Sequence, residues 1–181
     1  MTRFKVLKRE ELNDEQRRVY EEVEKAGGPL GGPYWAYIRN PKFMRLSQDM
    51  GDYLRTSPLS ARERQIVVLT VVRHWGAHYP WAVQAGRSLA AGVDQPVIDA
   101  INARQVPALS DPREKAAHQV AKELLETKGL SDATYAAAEK AFGFSQLVDV
   151  ISCIGYFSMM SCTSNALNIA PPENQPGRLA P

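Results

Sequence analysis

Histidine and cysteine are scarce in this chain, with three His and two Cys in 181 residues. The cysteines, Cys153 and Cys162, stand nine positions apart in one predicted helix. At ~1.5 Å rise and ~100° per residue they fall on opposite faces, roughly 13 Å apart along the axis. They therefore cannot bridge to each other. Both are expected as small buried core residues, with a reactive thiol as the other reading. Excess charge of one sign is missing too. Lys and Arg number 22 against 20 Asp and Glu, and the two signs are interspersed. That excludes the basic footprint of a nucleic-acid binder. No stretch reaches the ~20 apolar residues of a membrane span. The opening Met1-Thr2-Arg3-Phe4-Lys5-Val6 lacks the apolar run of a signal peptide. A cytoplasmic protein without a membrane partner is expected. Strand alternation is absent as well. The Gly-rich run Gly27 to Pro33 lacks the Lys and Ser/Thr of a phosphate loop. His74 and His78 have the spacing of paired ligands, but Gly76 breaks the helix between them. No acidic residue is placed to complete a shell, so neither a metal site nor a cofactor is expected.

What is present reads as helices. Hydrophobic content of 44% and charge of 23% are ordinary for one globular domain. The expected domain is 1–170, followed by an extended Pro-rich tail, 171–181. Asn13 with Gln16, and Ser60 with Glu63, form capping-box signatures. Pro41 opens a helix to about Arg55, with Phe43, Leu46, Met50 and Leu54 predicted on its core face. Gly92 ends a helix from about Ala77, and Asp94 with Pro96 opens a short one. Asp111-Pro112 and Ser131 start two more, the latter running through Ala141. Phe144 to Ala166 is the last helix, with Leu147, Ile151, Ile154 and Met159 as core candidates. The class is all-α.

The densest region is Gln65 to Gln84. It reads as a buried helix, a turn at Gly76, and a second helix whose first turn is crowded with polar and aromatic groups. Two of the three His and two of the three Trp lie between His74 and Trp81. Packing alone is a costly reason for such clustering, because buried His, Tyr and Trp each need a hydrogen-bond partner.

Several pieces of the chain together resemble one family. They are Gly32-Pro33-Tyr34, Arg39-Asn40-Pro41, Gly51-Asp52-Tyr53-Leu54-Arg55, Leu59-Ser60-Ala61-Arg62-Glu63-Arg64 and Arg73-His74-Trp75-Gly76-Ala77. Ala90-Ala91-Gly92-Val93, Leu130 to Tyr135 and Gly155 to Met159 follow in order. Over about residues 32–170 the chain resembles the carboxymuconolactone decarboxylase family, which shares its fold with alkylhydroperoxidase D. The resemblance implies an AhpD-like helical bundle with a core helical hairpin, assembled as a homo-oligomer: trimer, hexamer or dimer. It also locates departures. Where the peroxidase branch carries Glu, Cys, Cys and His, this chain has Gln65, Ala77, Pro80 and Gln84. Where the decarboxylase-like branch keeps a Glu-Trp pair and a His, it has Pro80-Trp81 and Gln84. Without a low-pKa thiol there is no family peroxide chemistry.

The residues that remain define the candidate site. His78, in the first turn of its helix, is favoured in the neutral form suited to general base work. Tyr79 can give or take a proton beside a developing oxyanion. The amides of Gln65 and Gln84 can orient a carbonyl without changing charge. Arg73 can clasp a carboxylate, while Trp81 would wall the site and Tyr34 would close it as an aromatic lid. Each has a plain structural reading beside it. His78 can be a helix-start hydrogen-bonding group and Tyr79 a core residue. Trp81, like Trp75, can be packing, Arg73 a helix-end cation, and Tyr34 an oligomer contact. His118, in a charged helix, is expected at the surface. The leading expectation is a cofactor-independent, non-redox enzyme of small-molecule catabolism, a lyase, decarboxylase or isomerase working by proton transfer on an aromatic or lactone substrate. A non-catalytic ligand-binding or assembly protein is the alternative, and a peroxidase the third.

Overall fold

The computed structural model describes residues 2–173 and 177–181. A single 3₁₀ turn, Arg9–Glu11, precedes eight helices: α1 (Asp14–Lys25), α2 (Tyr34–Tyr37), α3 (Pro41–Thr56), α4 (Ala61–His74), α5 (His78–Ala90), α6 (Gln95–Asn102), α7 (Pro112–Thr127) and α8 (Asp132–Ala166). Among the described residues there is no strand.

The helix starts follow local chemistry. Asn13 and Ser60 each accept from the backbone N–H three residues on, and Gln16 and Glu63 reach back to close both capping boxes. Asp111 caps α7 by accepting from Arg113 N, two residues on, and Ser131 caps α8 by accepting from Thr134 N, three residues on. The α4 helix forms the centre. Every residue from Gln65 to Arg73 is buried, and Ile66, Val67, Val68, Leu69, Val71 and Val72 have no exposed surface. A helix apolar all round has to be surrounded, and α5, α7 and α8 surround it. Gly76, at φ +58°, lets the chain reverse between α4 and α5 and makes the core hairpin. The expected boundary between Ala141 and Phe144 is a break inside α8 at Gly143, whose φ of 68° and ψ of 165° are not helical.

Several sequence expectations are corrected. On α3 the inward face carries Met44, Ser47, Gln48, Gly51 and Leu54, while Leu46 and Met50 point outward. Ile151 and Cys162 are also exposed, and only Cys153 is in the core. Burial pushes the Cys153 thiol up to about 12. His118 is buried, not at the surface. The α8 helix is long and apolar enough to cross a membrane by length and composition, although no run of ~20 apolar residues was expected. Its Val, Ile, Phe, Met and Cys residues give the helix that character although polar residues interrupt them, and half of the apolar window is buried within the protein. The tail residues 177–181 adopt no helix or strand but are docked. A Cβ on Gly177 would stand 2.9 Å from that of Ala85. Asn102 Nδ2 donates to the Arg178 carbonyl at 2.8 Å and its Oδ1 accepts from Ala180 N at 2.9 Å.

Candidate functional site

A cavity of about 640 Å³ lies beside the α4–α5 hairpin, within the usual size of a small-molecule site. Its roof is the Gly-rich segment before α2, its walls come from α3, α4 and α5, and its far side is the Tyr156–Met160 stretch of α8. Gln48 Nε2 ties the roof down by donating to the Pro29 carbonyl at 2.7 Å. The roof also presses on Tyr79. A Cβ on Gly32 would lie 2.1 Å from Tyr79 Cε1, and one on Gly31 2.8 Å from Tyr79 Oη. Only glycine permits that approach, and Gly32 is at φ +65°. Trp35 holds the other side of the Tyr79 ring edge-on, with centroids 5.7 Å apart.

Four of the expected site residues meet here: Tyr34, Gln65, Tyr79 and Gln84. Gln65 Oε1 accepts from Ser88 Oγ at 3.1 Å. Gln84 Oε1 is buried with no hydrogen-bond donor among the described residues. Tyr156 Oη donates to the Ser47 carbonyl at 3.0 Å, so Tyr34 Oη is the donor in the 2.6 Å bond between the two phenols. Burial holds the Tyr34 and Tyr79 phenols above their ordinary range. Both therefore stay protonated through neutral pH.

Three expected residues are elsewhere. His78 is exposed and lies outside the cavity, since one residue along a helix turns the side chain by ~100° and Tyr79 takes the inward direction. Trp81 is 1% exposed and belongs to the core. Arg73 is buried beyond the opposite end of α4, where Nε donates to the Asn102 carbonyl at 2.6 Å. Gln65 and Arg73, expected on one helix face, thus serve different places.

Sequence reasoning missed the cations. Arg55, Arg64 and Arg87 line the cavity, and no Asp, Glu, His or Cys does. Arg55 is paired with Asp52. Arg64 Nη1 reaches only the carbonyls of Leu54 and Arg55, at 3.3 and 3.4 Å. Among the described residues neither Arg64 nor Arg87 has a carboxylate within 4.0 Å. Spacing was the available signal: Arg87 is three residues after Gln84, on the same helix face.

The sequence matches the carboxymuconolactone decarboxylase family over 41–123, a span that includes α4, α5 and most of the cavity wall. No curated protein gives a match. The fold of this chain is similar to two solved structures. One is an uncharacterized peroxidase-related protein of Ralstonia eutropha JMP134 with the alkylhydroperoxidase AhpD core: TM-score 0.78, 19% identity, 95% of this chain and 93% of that one. The other is an uncharacterized peroxidase-related protein of Silicibacter sp. TM1040: TM-score 0.80, 18% identity, 99% and 96%. At such identities the likeness shows the AhpD-like fold alone. Gln65, Pro80 and Gln84 line the cavity and Ala77 is buried outside its lining, and none of the four is a thiol or an ionisable group.

Proposed function

We propose that the chain is a cofactor-independent lyase of the decarboxylase type, acting on a small organic anion with an apolar body. The observation that carries this is the cavity lining: three arginines, no acidic side chain, and apolar walls such as Val68, Val83, Phe157 and Met160. Two of them, Arg64 and Arg87, have no carboxylate partner among the described residues and suit a substrate carboxylate or a developing enolate oxygen. The reaction class follows from what the lining lacks. Isomerisation by proton abstraction needs a base that is free near neutral pH, and both phenols are held protonated. Loss of CO₂ needs none. The C–CO₂⁻ bond breaks, its electron pair moves into a conjugated carbonyl, and the enolate oxygen rests against Arg64, Arg87 or an amide. The enolate carbon then takes a proton from Tyr79, which regains one from water. The family description supports the same class. The peroxidase-related neighbours share the fold, but this cavity holds no dithiol.

The second reading, ligand binding without turnover, is favoured by the neutral groups at Gln65 and Gln84. One experiment separates the two. Small keto- and lactone-carboxylates are tested by calorimetry for binding and by CO₂ release for turnover. Turnover is expected, with kcat reduced ~10²-fold in Tyr79→Phe and binding weakened ~10-fold or more in Arg64→Gln. Binding without CO₂ release supports the second reading. Binding that ignores both Arg64→Gln and Arg87→Gln overturns both.

A further inference from the structure

Exposure grades the lining of the large cavity. Arg55 and Arg87 are exposed and Arg64 and Tyr79 half-buried, while Tyr34, Gln65, Gln84 and Tyr156 are buried. The outer part of the cavity therefore carries the cations, and the inner part carries two amides and two phenols. Arg55 is paired with Asp52, which leaves Arg64 and Arg87 open to an anion. An acid bound here rests its carboxylate against them and turns its other end inward.

The inner groups define that other end, because their hydrogens are already assigned. Tyr34 Oη donates to Tyr156 Oη at 2.6 Å, and Tyr156 Oη donates to the Ser47 carbonyl at 3.0 Å. Each phenol has one proton, so the pair offers the cavity lone pairs only. A Cβ at Gly51 would stand 2.8 Å from Tyr156 Oη, so glycine there leaves the phenol its place. Gln84 Oε1 is a buried acceptor with no donor among the described residues. Gln65 Oε1 accepts from Ser88 Oγ at 3.1 Å, and Gln65 Nε2 has no acceptor among the described residues. The inner end thus lacks donors for its oxygens and has one donor of its own to give. A ligand carbonyl or carboxylate would leave the phenol and Gln84 oxygens unmatched. An ammonium would leave Gln65 Nε2 unmatched and meet no carboxylate, since no acidic side chain lines the cavity. A hydroxyl both gives and takes a hydrogen bond, and it matches.

We propose that the ligand of this cavity is a hydroxy acid. Its apolar body carries a carboxylate on the Arg64 and Arg87 side and, remote from it, a neutral hydroxyl seated among Tyr34, Gln65 and Gln84. Resting on the reading of this cavity as the substrate site, the assignment adds a second point of recognition away from the charge. An acid without the hydroxyl leaves buried acceptors unsatisfied, which lowers its affinity by a factor of ~10 or more.

Calorimetric titration of the full chain with matched acids tests this. The pairs are para-hydroxybenzoate with benzoate and para-hydroxycinnamate with cinnamate. The para-methoxy acids keep the oxygen and lose the proton. The hydroxy acids are expected to bind ~10-fold or more tightly than their deoxy and methoxy counterparts. That preference narrows in Gln84→Met, in Tyr34→Phe or in both, with circular dichroism confirming that each variant is folded. Arg64→Gln weakens both members of a pair alike and keeps the preference. Equal binding within each pair, methoxy acids as tight as hydroxy acids, or a preference untouched by both Gln84→Met and Tyr34→Phe overturns the hydroxyl assignment and leaves the anion site standing. Binding of none of these acids, or binding indifferent to both Arg64→Gln and Arg87→Gln, removes the substrate-site reading and the hydroxyl assignment with it.

Discussion

Gln84 sits where a helix interior meets the cavity, and its Oε1 atom has no donor among the described residues. A buried acceptor left unsatisfied costs about 1–3 kcal/mol. A folded protein retains such a group at a cost in stability unless a ligand completes it. Gln84→Met keeps the length and removes the acceptor. The variant is expected to melt ~2–4 °C higher for each kcal/mol recovered in a chain of this size, while ligand affinity falls. Thermal melts with and without a bound carboxylate check this; a variant that gains stability and loses no affinity makes Gln84 a packing residue. The same scale shows how narrowly a site residue can be misplaced. His78 and Tyr79 are adjacent in sequence, and composition draws attention to both. Only the rotation between them puts the phenol inside and the imidazole outside. That rotation depends on how α5 settles on α4, which neither residue type reveals. Arg64 and Arg87 were overlooked for the opposite reason. An arginine in a helix is most often solvated, and only register marks these two: Arg87 follows Gln84 by three residues and Arg64 precedes Val68 by four.

Helices were readable where their signals are local. Caps at Asn13, Ser60, Asp111 and Ser131 lie within three residues of what they satisfy, and all four close in the structure. The orientation of α3 was not readable, because apolar residues occupy both of its faces and only the neighbours decide between them. Ser47 and Gln48 face inward to hold Tyr156 and the Gly-rich roof. The α8 helix offers a test whose sign separates two readings. Were it continuous, Gly143→Ala would stabilise it by about 1 kcal/mol. With Gly143 at φ 68° and ψ 165°, a conformation nearly reserved for glycine, the substitution should instead cost ~1–3 kcal/mol. A denaturant titration reads the difference directly, and a rise in the midpoint would mean an unbroken helix.

At the scale of the whole molecule, two rows of large apolar side chains remain uncovered. Leu46, Met50 and Tyr53 follow i, i+4, i+7 spacing on α3, with Leu46 58% exposed. Phe144, Val148 and Ile151 repeat that spacing on α8, with Phe144 67% exposed. The rows are neighbours, because Tyr53 Oη donates to Asp149 Oδ1 across the two helices. Single exposed apolar residues are normal on a monomer, but two adjacent helical rows form a patch that a monomer rarely leaves open. The inward face of α3 already buries Met44 and Leu54 beside Ser47 and Gln48, so Leu46 and Met50 form a second apolar row that its own core does not take up. We therefore expect a homo-oligomer in which another copy covers these rows. Light scattering on the eluted protein should give a multiple of the 20.1 kDa chain mass. Leu46→Lys and Phe144→Lys, which leave the buried core untouched, should shift the equilibrium to smaller species with helical content retained. A stable monomer at micromolar concentration would remove the expectation. An oligomer indifferent to both substitutions would place the interface on another face.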